Sequence, residues 1–178
     1  MKDLTEHYVS GARVYDGSLL KVHRDVVRLP DGSQGTREYI RHPGAVAVVA
    51  LFDDRNVVLE RQFRYPPRRE FIEIPAGKLE PGEPPLGTAR RELLEETGYE
   101  AQEWTRLCAI DTAIGYTDER IELYLARQLT LKTRKLDEGE FLEVFLAPFD
   151  EAVAMVRDGR ITDVKTVAAI LWVKAFLP

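Results

Sequence analysis

Residues 77–99 read GKLEPGEPPLGTARRELLEETGY, and their carboxylates are the groups in this chain most able to do chemistry. Glu92, Glu95 and Glu96 fall at i, i+3 and i+4, which puts three carboxylates on one face of a helix. Glu83 stands just ahead of that helix and can join the cluster. Without a counter-ion, like charges at this spacing repel by a few tenths of a kcal/mol per pair. Hard oxygen ligands on a rigid element suit Mg²⁺ or Mn²⁺. The bland alternative is a solvated acidic face, partly relieved by Arg91 beside Glu95. Nucleophilic catalysis finds no good candidate. Ser10, Ser18 and Ser33 lack a strand–turn–helix elbow, and His7, His23 and His42 have no metal spacing and no nucleophile beside them. Metal-activated water is the chemistry left.

Such a cluster needs a frame. Residues 8–15, 19–29 and 36–41 alternate apolar and polar side chains and are separated by Asp16-Gly17 and Pro30-Asp31-Gly32-Ser33, which predicts a β meander. A unit that small must pack on something, either the main domain or a second subunit. The unbroken apolar run at 45–52 predicts a central strand buried on both faces, with 57–64 as its hairpin partner. Residues 71–74 predict a short strand closed by Pro75-Ala76-Gly77. Pro84 and Pro85 then open a helix, Leu86, Ala89 and Leu93 give it an apolar stripe, and Gly98 ends it. Strands around 104–110, 121–126 and 141–146 and helices from Pro148 and over 161–177 complete an α/β fold with a mixed central sheet covered by helices. The expected division is a meander at 1–42 and a main domain at 43–178.

The 178 residues hold 25 Lys+Arg against 30 Asp+Glu, and the net charge of −5 argues against a protein that grips nucleic-acid phosphates. Cys108 is the one cysteine, so an internal disulfide and cysteine-based metal clusters are excluded. No apolar run reaches membrane-spanning length. A cytoplasmic protein with no membrane partner is expected.

The full spacing changes the weight given to the acidic helix. Gly77, five residues, Glu83, seven residues, then Arg91-Glu92-Leu93-Leu94-Glu95-Glu96-Thr97-Gly98-Tyr99 resembles the Nudix box at every fixed position. Seven fixed residues at about 6% usage each recur by chance in such a chain less than about once in a million. Glu73-Ile74-Pro75-Ala76-Gly77-Lys78-Leu79-Glu80 and the segment from Gly115 to Ala126 are similar to the ADP-ribose and nucleoside-diphosphate-sugar pyrophosphatases of that superfamily. One departure is that Ala113-Ile114-Gly115 replaces the Ser-Pro-Gly of many ADP-ribose pyrophosphatases, which moves weight toward the sugar-nucleotide branch.

The resemblance implies a Nudix-type α/β/α sandwich with an N-terminal antiparallel meander that serves dimerisation and substrate binding, hence a homodimer. It implies Mg²⁺, replaceable by Mn²⁺, held by Glu92, Glu96 and the Ala76 carbonyl, with Gly77 letting the chain double back so that this carbonyl points at the site. Glu95 contributes through water or as a second carboxylate, and Arg91 orients Glu95 or Glu83. In the acidic loop at 136–140, Glu138 would be the general base and Glu140 a further metal ligand, with Glu119 the rival base. For substrate phosphates or ribose it favours Arg64; Arg41, Arg61 and Lys78 are other candidate cations, Arg68 and Arg69 read rather as surface charges, and Ile114, Gly115 and Glu119 are further contacts. The implied reaction is hydrolysis of the diphosphate of ADP-ribose or a related nucleoside diphosphate sugar. A nucleoside-diphosphate hexose such as GDP-mannose or ADP-glucose is the alternative substrate, and a non-catalytic ADP-ribose-binding regulator the other function.

Overall fold

The alternating N-terminal segments form an antiparallel sheet of three strands, β1 (His7–Asp16), β2 (Lys21–Arg28) and β3 (Gln34–Arg41), in the order β1-β2-β3. The turn between β2 and β3 closes as its residue types dictate. Leu29 N–H donates to the Ser33 carbonyl at 2.8 Å, Asp31 accepts from the Ser33 N–H, and Gly32 takes φ +88°. β1 is exposed along its whole length. The computed structural model describes residues 2–53, 55–136, 139 and 141–177. They form two compact units, the first ending at Gly44 but including 111–120, the second holding the remainder.

The second unit is built on a seven-stranded mixed sheet. Its path is β10 (Leu142–Pro148), β5 (Asn56–Arg64), β4 (Ala45–Phe52), β9 (Arg120–Leu131) and β8 (Tyr99–Asp111), while β6 (Arg69–Glu73) pairs with β5 and β7 (Ala76–Lys78) with β4. β4 runs parallel to β9 and antiparallel to β5. Alternate β4 residues enter two cores, as a strand's two-residue period requires. Ala45, Ala47, Val49 and Leu51 pack with Ala152 of α2 (Phe149–Asp158) and with Ala169, Ile170 and Val173 of α3 (Val164–Phe176). Val46, Val48 and Ala50 pack with Ala89 of α1 (Pro85–Glu92) and with Leu93. Helices therefore cover both faces of the sheet, and the α/β/α sandwich expected from the sequence is the observed architecture.

Two local features differ from expectation. The acidic helix is not a regular α-helix to its end: after Glu92 it widens into a π-turn at Leu93–Thr97, closed by Gly98 at φ +77°. Thr97 Oγ1 donates to the Leu93 carbonyl, competing with the backbone for that acceptor. The segment after β6, expected to be only a closing turn, adds β7, with Val46 opposite Gly77 and Ala47 opposite Ala76.

Candidate functional site

The site is assembled where β7 meets the end of α1. Glu92 and Glu96 meet adjacent residues of β7, Gly77 and Ala76, while Glu92 and Glu95 share Arg91. Glu96 turns inward, its side chain accepting the Ala76 N–H at 2.9 Å, and its residue is only 6% exposed. Glu92 lies against Gly77 so closely that a Cβ built there would meet its Cδ and Oε1 at 1.9 Å. The role expected of Gly77 is corrected here. Its φ is not in the positive range, so it provides room for a carboxylate and not a backbone conformation closed to other residues. Glu95 remains more open.

Arg91 ties the acidic group together. Its Nη1 donates to Glu92 Oε1 and to Glu95 Oε2, both at 2.9 Å, while Nε and Nη2 fork onto Glu83 at 3.2 and 3.1 Å. These carboxylates, Glu83 foremost, raise the Arg91 pKa above its ordinary value, and Arg91 with Thr88 lowers that of Glu83. Thr88, fully buried, also fixes the Glu83 carboxylate, its Oγ1 donating at 2.8 Å to the same Oε2 that Arg91 Nη2 uses. Among the described residues no three His, Cys, Asp or Glu side chains form a ready-made metal cage. The donor set nevertheless fits a divalent cation: Glu92 and Glu96 bring anionic hard oxygens to the segment that carries the Ala76 carbonyl, and Gly77 leaves the Glu92 carboxylate its place.

Arg64, expected to contact substrate, is clamped by Glu73: Nε donates to Oε1 at 2.7 Å and Nη2 to Oε2 at 2.8 Å. Burial alone would push the Glu73 carboxyl up, but Arg64 and Lys165 together bring it below its ordinary value. Glu73, Lys165, Asp163 and Thr166 were not among the expected site residues. The Glu73–Lys165 and Ile74–Thr166 contacts each span 92 positions in sequence, and only the sheet-to-α3 packing makes them. Arg61 pairs with Glu70 and Glu143, and Lys78 lies exposed in β7 opposite Ala45. Arg68 sits over the Tyr65 ring at 3.6 Å and Arg69 over Phe71 at 4.3 Å. Glu138 and Glu140 lie outside the described residues.

The first unit gathers the other expected residues. Asp118 accepts the His42 N–H at 2.8 Å and Arg41 Nη1 at 3.1 Å. Glu119 accepts Thr112 Oγ1 at 2.7 Å and stands 3.5 Å from His42 Nε2. Ile114 and Gly115 border a cavity of about 380 Å³ that Tyr8, Tyr39 and Tyr116 also line. Tyr8 and Tyr116 are exposed, so neither belongs to a core. That volume is in the range of small-molecule sites.

Comparison with known proteins adds to this geometry. The NUDIX domain family matches residues 41–170, and the nucleoside diphosphate sugar hydrolase N-terminal domain matches residues 9–40. An ADP-ribose pyrophosphatase of Bacillus subtilis (strain 168) is 40% identical over 176 residues, covering 98% of this chain and 95% of that protein. A methanol dehydrogenase activator of Bacillus methanolicus is 42% identical over 171 residues, covering 95% and 92%. The crystal structure of an ADP compounds hydrolase superposes with a TM-score of 0.89 over 99% of this chain and 97% of that one; at 24% identity the likeness speaks for the fold.

Proposed function

The chain belongs to the Nudix hydrolase family, and from that membership we propose that it hydrolyses the diphosphate bond of ADP-ribose or a related nucleoside diphosphate sugar, giving a nucleoside monophosphate and a sugar phosphate. The observation that carries the reading is Glu96, a buried carboxylate pinned by the Ala76 N–H beside a Glu92 for which Gly77 leaves the space. The matched N-terminal domain and the B. subtilis relative support the substrate class.

Glu92, Glu96 and the Ala76 carbonyl would hold Mg²⁺ or Mn²⁺, with Glu140 as a further ligand; when bound, such an ion offsets diphosphate charge and makes water a better nucleophile. The chain's own residues do the positioning. Arg91 holds Glu83, Glu92 and Glu95 in register, and Arg64, clamped on one side, offers its remaining N–H groups to an anionic oxygen. Water adds to one phosphorus as the bridging phosphorus–oxygen bond breaks, and its proton passes to a carboxylate. Glu138 is assigned as that base, with Glu119 the rival. Arg41, Lys78, Ile114, Gly115 and Glu119 are assigned to substrate recognition.

Ile114 and Gly115, both on the cavity wall, favour the nucleoside-diphosphate hexose as second reading. The exposed length of β1 supports a homodimer, and the single cysteine supports a cytoplasmic location. Turnover of ADP-ribose, ADP-glucose and GDP-mannose under Mg²⁺, with products identified, tests the reading. Silence on all three with tight ADP-ribose binding would replace it by a binding role.

A further inference from the structure

A second charged group lies under the site and does not belong to the acidic helix. Glu73 ends β6, three residues ahead of Ala76, and is 4% exposed. A carboxylate so buried needs compensation from more than one partner. Arg64 supplies part of it through Nε and Nη2. The rest comes from Lys165 Nζ, which donates to the same Oε2 that Arg64 Nη2 uses. Lys165 is itself held, because Nζ also donates to Asp163 Oδ2 at 2.9 Å, and Asp163 accepts the Thr166 N–H at 3.0 Å as the cap of α3. Thr166 Oγ1 in turn accepts the Ile74 N–H at 3.0 Å, so the first turn of α3 grips both the side chain of Glu73 and the backbone next to it.

Two acids, Glu73 and Asp163, and two bases, Arg64 and Lys165, make this group neutral. Among the described residues Arg64 Nη1 has no hydrogen-bond partner, and the Arg64 side chain is 45% exposed. The guanidinium is thus fixed on its inner edge and open on its outer one. The charge of Glu96 also acts on this guanidinium.

We propose that Lys165 is a positioning residue for substrate binding: by sharing Glu73 with Arg64 it keeps the guanidinium presented outward in place of being drawn in as the sole counter-ion of a buried carboxylate. The proposal rests on the diphosphatase reading for the identity of the anion Arg64 meets. It does not rest on it for the placement of Arg64. Without Lys165 the group carries a net negative charge in a desolvated place. Arg64 must then compensate both acids, and its outer edge loses its fixed direction. A group that contacts non-reacting parts of a substrate and loses preorganisation weakens binding more than it slows chemistry.

The test joins a spectroscopic reading with a double-mutant cycle. In ¹⁵N-labelled protein, the Arg64 Nε–H resonance, identified by its absence in Arg64→Ala, is expected sharp and slow to exchange, and exchange-broadened in Lys165→Met. With Mg²⁺ and ADP-ribose, Lys165→Met is expected to raise KM about tenfold with kcat within about twofold, while Lys165→Arg restores most of the loss. In the Arg64→Ala background Lys165→Met should add no further rise in KM. Lys165→Gln, which keeps a donor and the length of the side chain, takes the same measurements if Lys165→Met fails to fold. An unchanged Arg64 resonance, or a KM increase equally large without Arg64, would overturn the proposal. A parent protein inactive on every nucleotide sugar would overturn the diphosphatase reading, and the Arg64 resonance would then decide this one by itself.

Discussion

Gly77→Ala separates the site from the fold with one methyl group. A Cβ at position 77 would lie 1.9 Å from Glu92 Cδ and Oε1 and 2.4 Å from Cγ. Carbon atoms pack no closer than about 3.5 Å, so the Glu92 carboxylate has to retreat by roughly 1.5 Å. What retreats is the far end of a flexible side chain, and the backbone at 77 is open to alanine because its φ is not positive. Stability should change by less than about 1 kcal/mol, since the smaller entropy of the unfolded alanine chain offsets part of the repacking. Activity should fall much further: displacing a group by about 1 Å from its working position costs on the order of a hundredfold. The assay is kcat on ADP-ribose under saturating Mg²⁺, with a thermal melt of the same samples. Turnover within about threefold of the parent would refute the placement of Glu92 as a working carboxylate. A variant that does not fold would refute the claim that only a side-chain end must move.

Three further outcomes follow from the geometry. Arg91→Gln leaves Glu83, Glu92 and Glu95 without their shared cation, and should cost about 2 kcal/mol in chelator but less with Mg²⁺, as read by urea unfolding in each buffer. The Glu73 carboxyl is held below its ordinary value, so its contribution is present at neutral pH and lost as pH falls below the ordinary glutamate range and through the lowered value. Glu73→Gln should therefore flatten the acid limb of the stability–pH curve, and an unaltered limb would contradict the buried ion group. Leu93→Ala removes a fully buried side chain at the start of the π-turn and should lower unfolding free energy by about 3 kcal/mol, measured by denaturant titration.

The frame was legible in the sequence wherever a local pattern had a single solution. Eight apolar residues at 45–52 admit burial on two faces, and β4 divides its side chains between two cores. Pro30-Asp31-Gly32-Ser33 prescribes its own turn. The acidic helix was legible in composition but not in its backbone, because nothing in Leu93-Leu94-Glu95-Glu96-Thr97 announces a π-turn; in it Glu96 is buried and Glu95 more open. Gly77 was singled out for the wrong property, since a sequence shows that a side chain is absent without showing whether space or backbone freedom is being used. Arg64 was visible as a candidate and Glu73 as the start of the family-like segment, but Lys165 carried no signal and neither did its pairing with Glu73: that contact depends on α3 docking against β6, which no spacing encodes.

The central claim is hydrolysis of a nucleotide-sugar diphosphate by the carboxylates around Gly77. The most direct measurement incubates the protein with ADP-ribose and Mg²⁺ and quantifies products by anion-exchange chromatography, with parallel samples containing chelator and the Glu96→Gln variant. AMP and ribose 5-phosphate are expected in equal amounts, with no reaction in chelator and turnover reduced at least about a hundredfold in a variant that melts like the parent. Glu96→Gln turning over at the parental rate, or a parent that binds ADP-ribose without cleaving it, would contradict this role of the carboxylates.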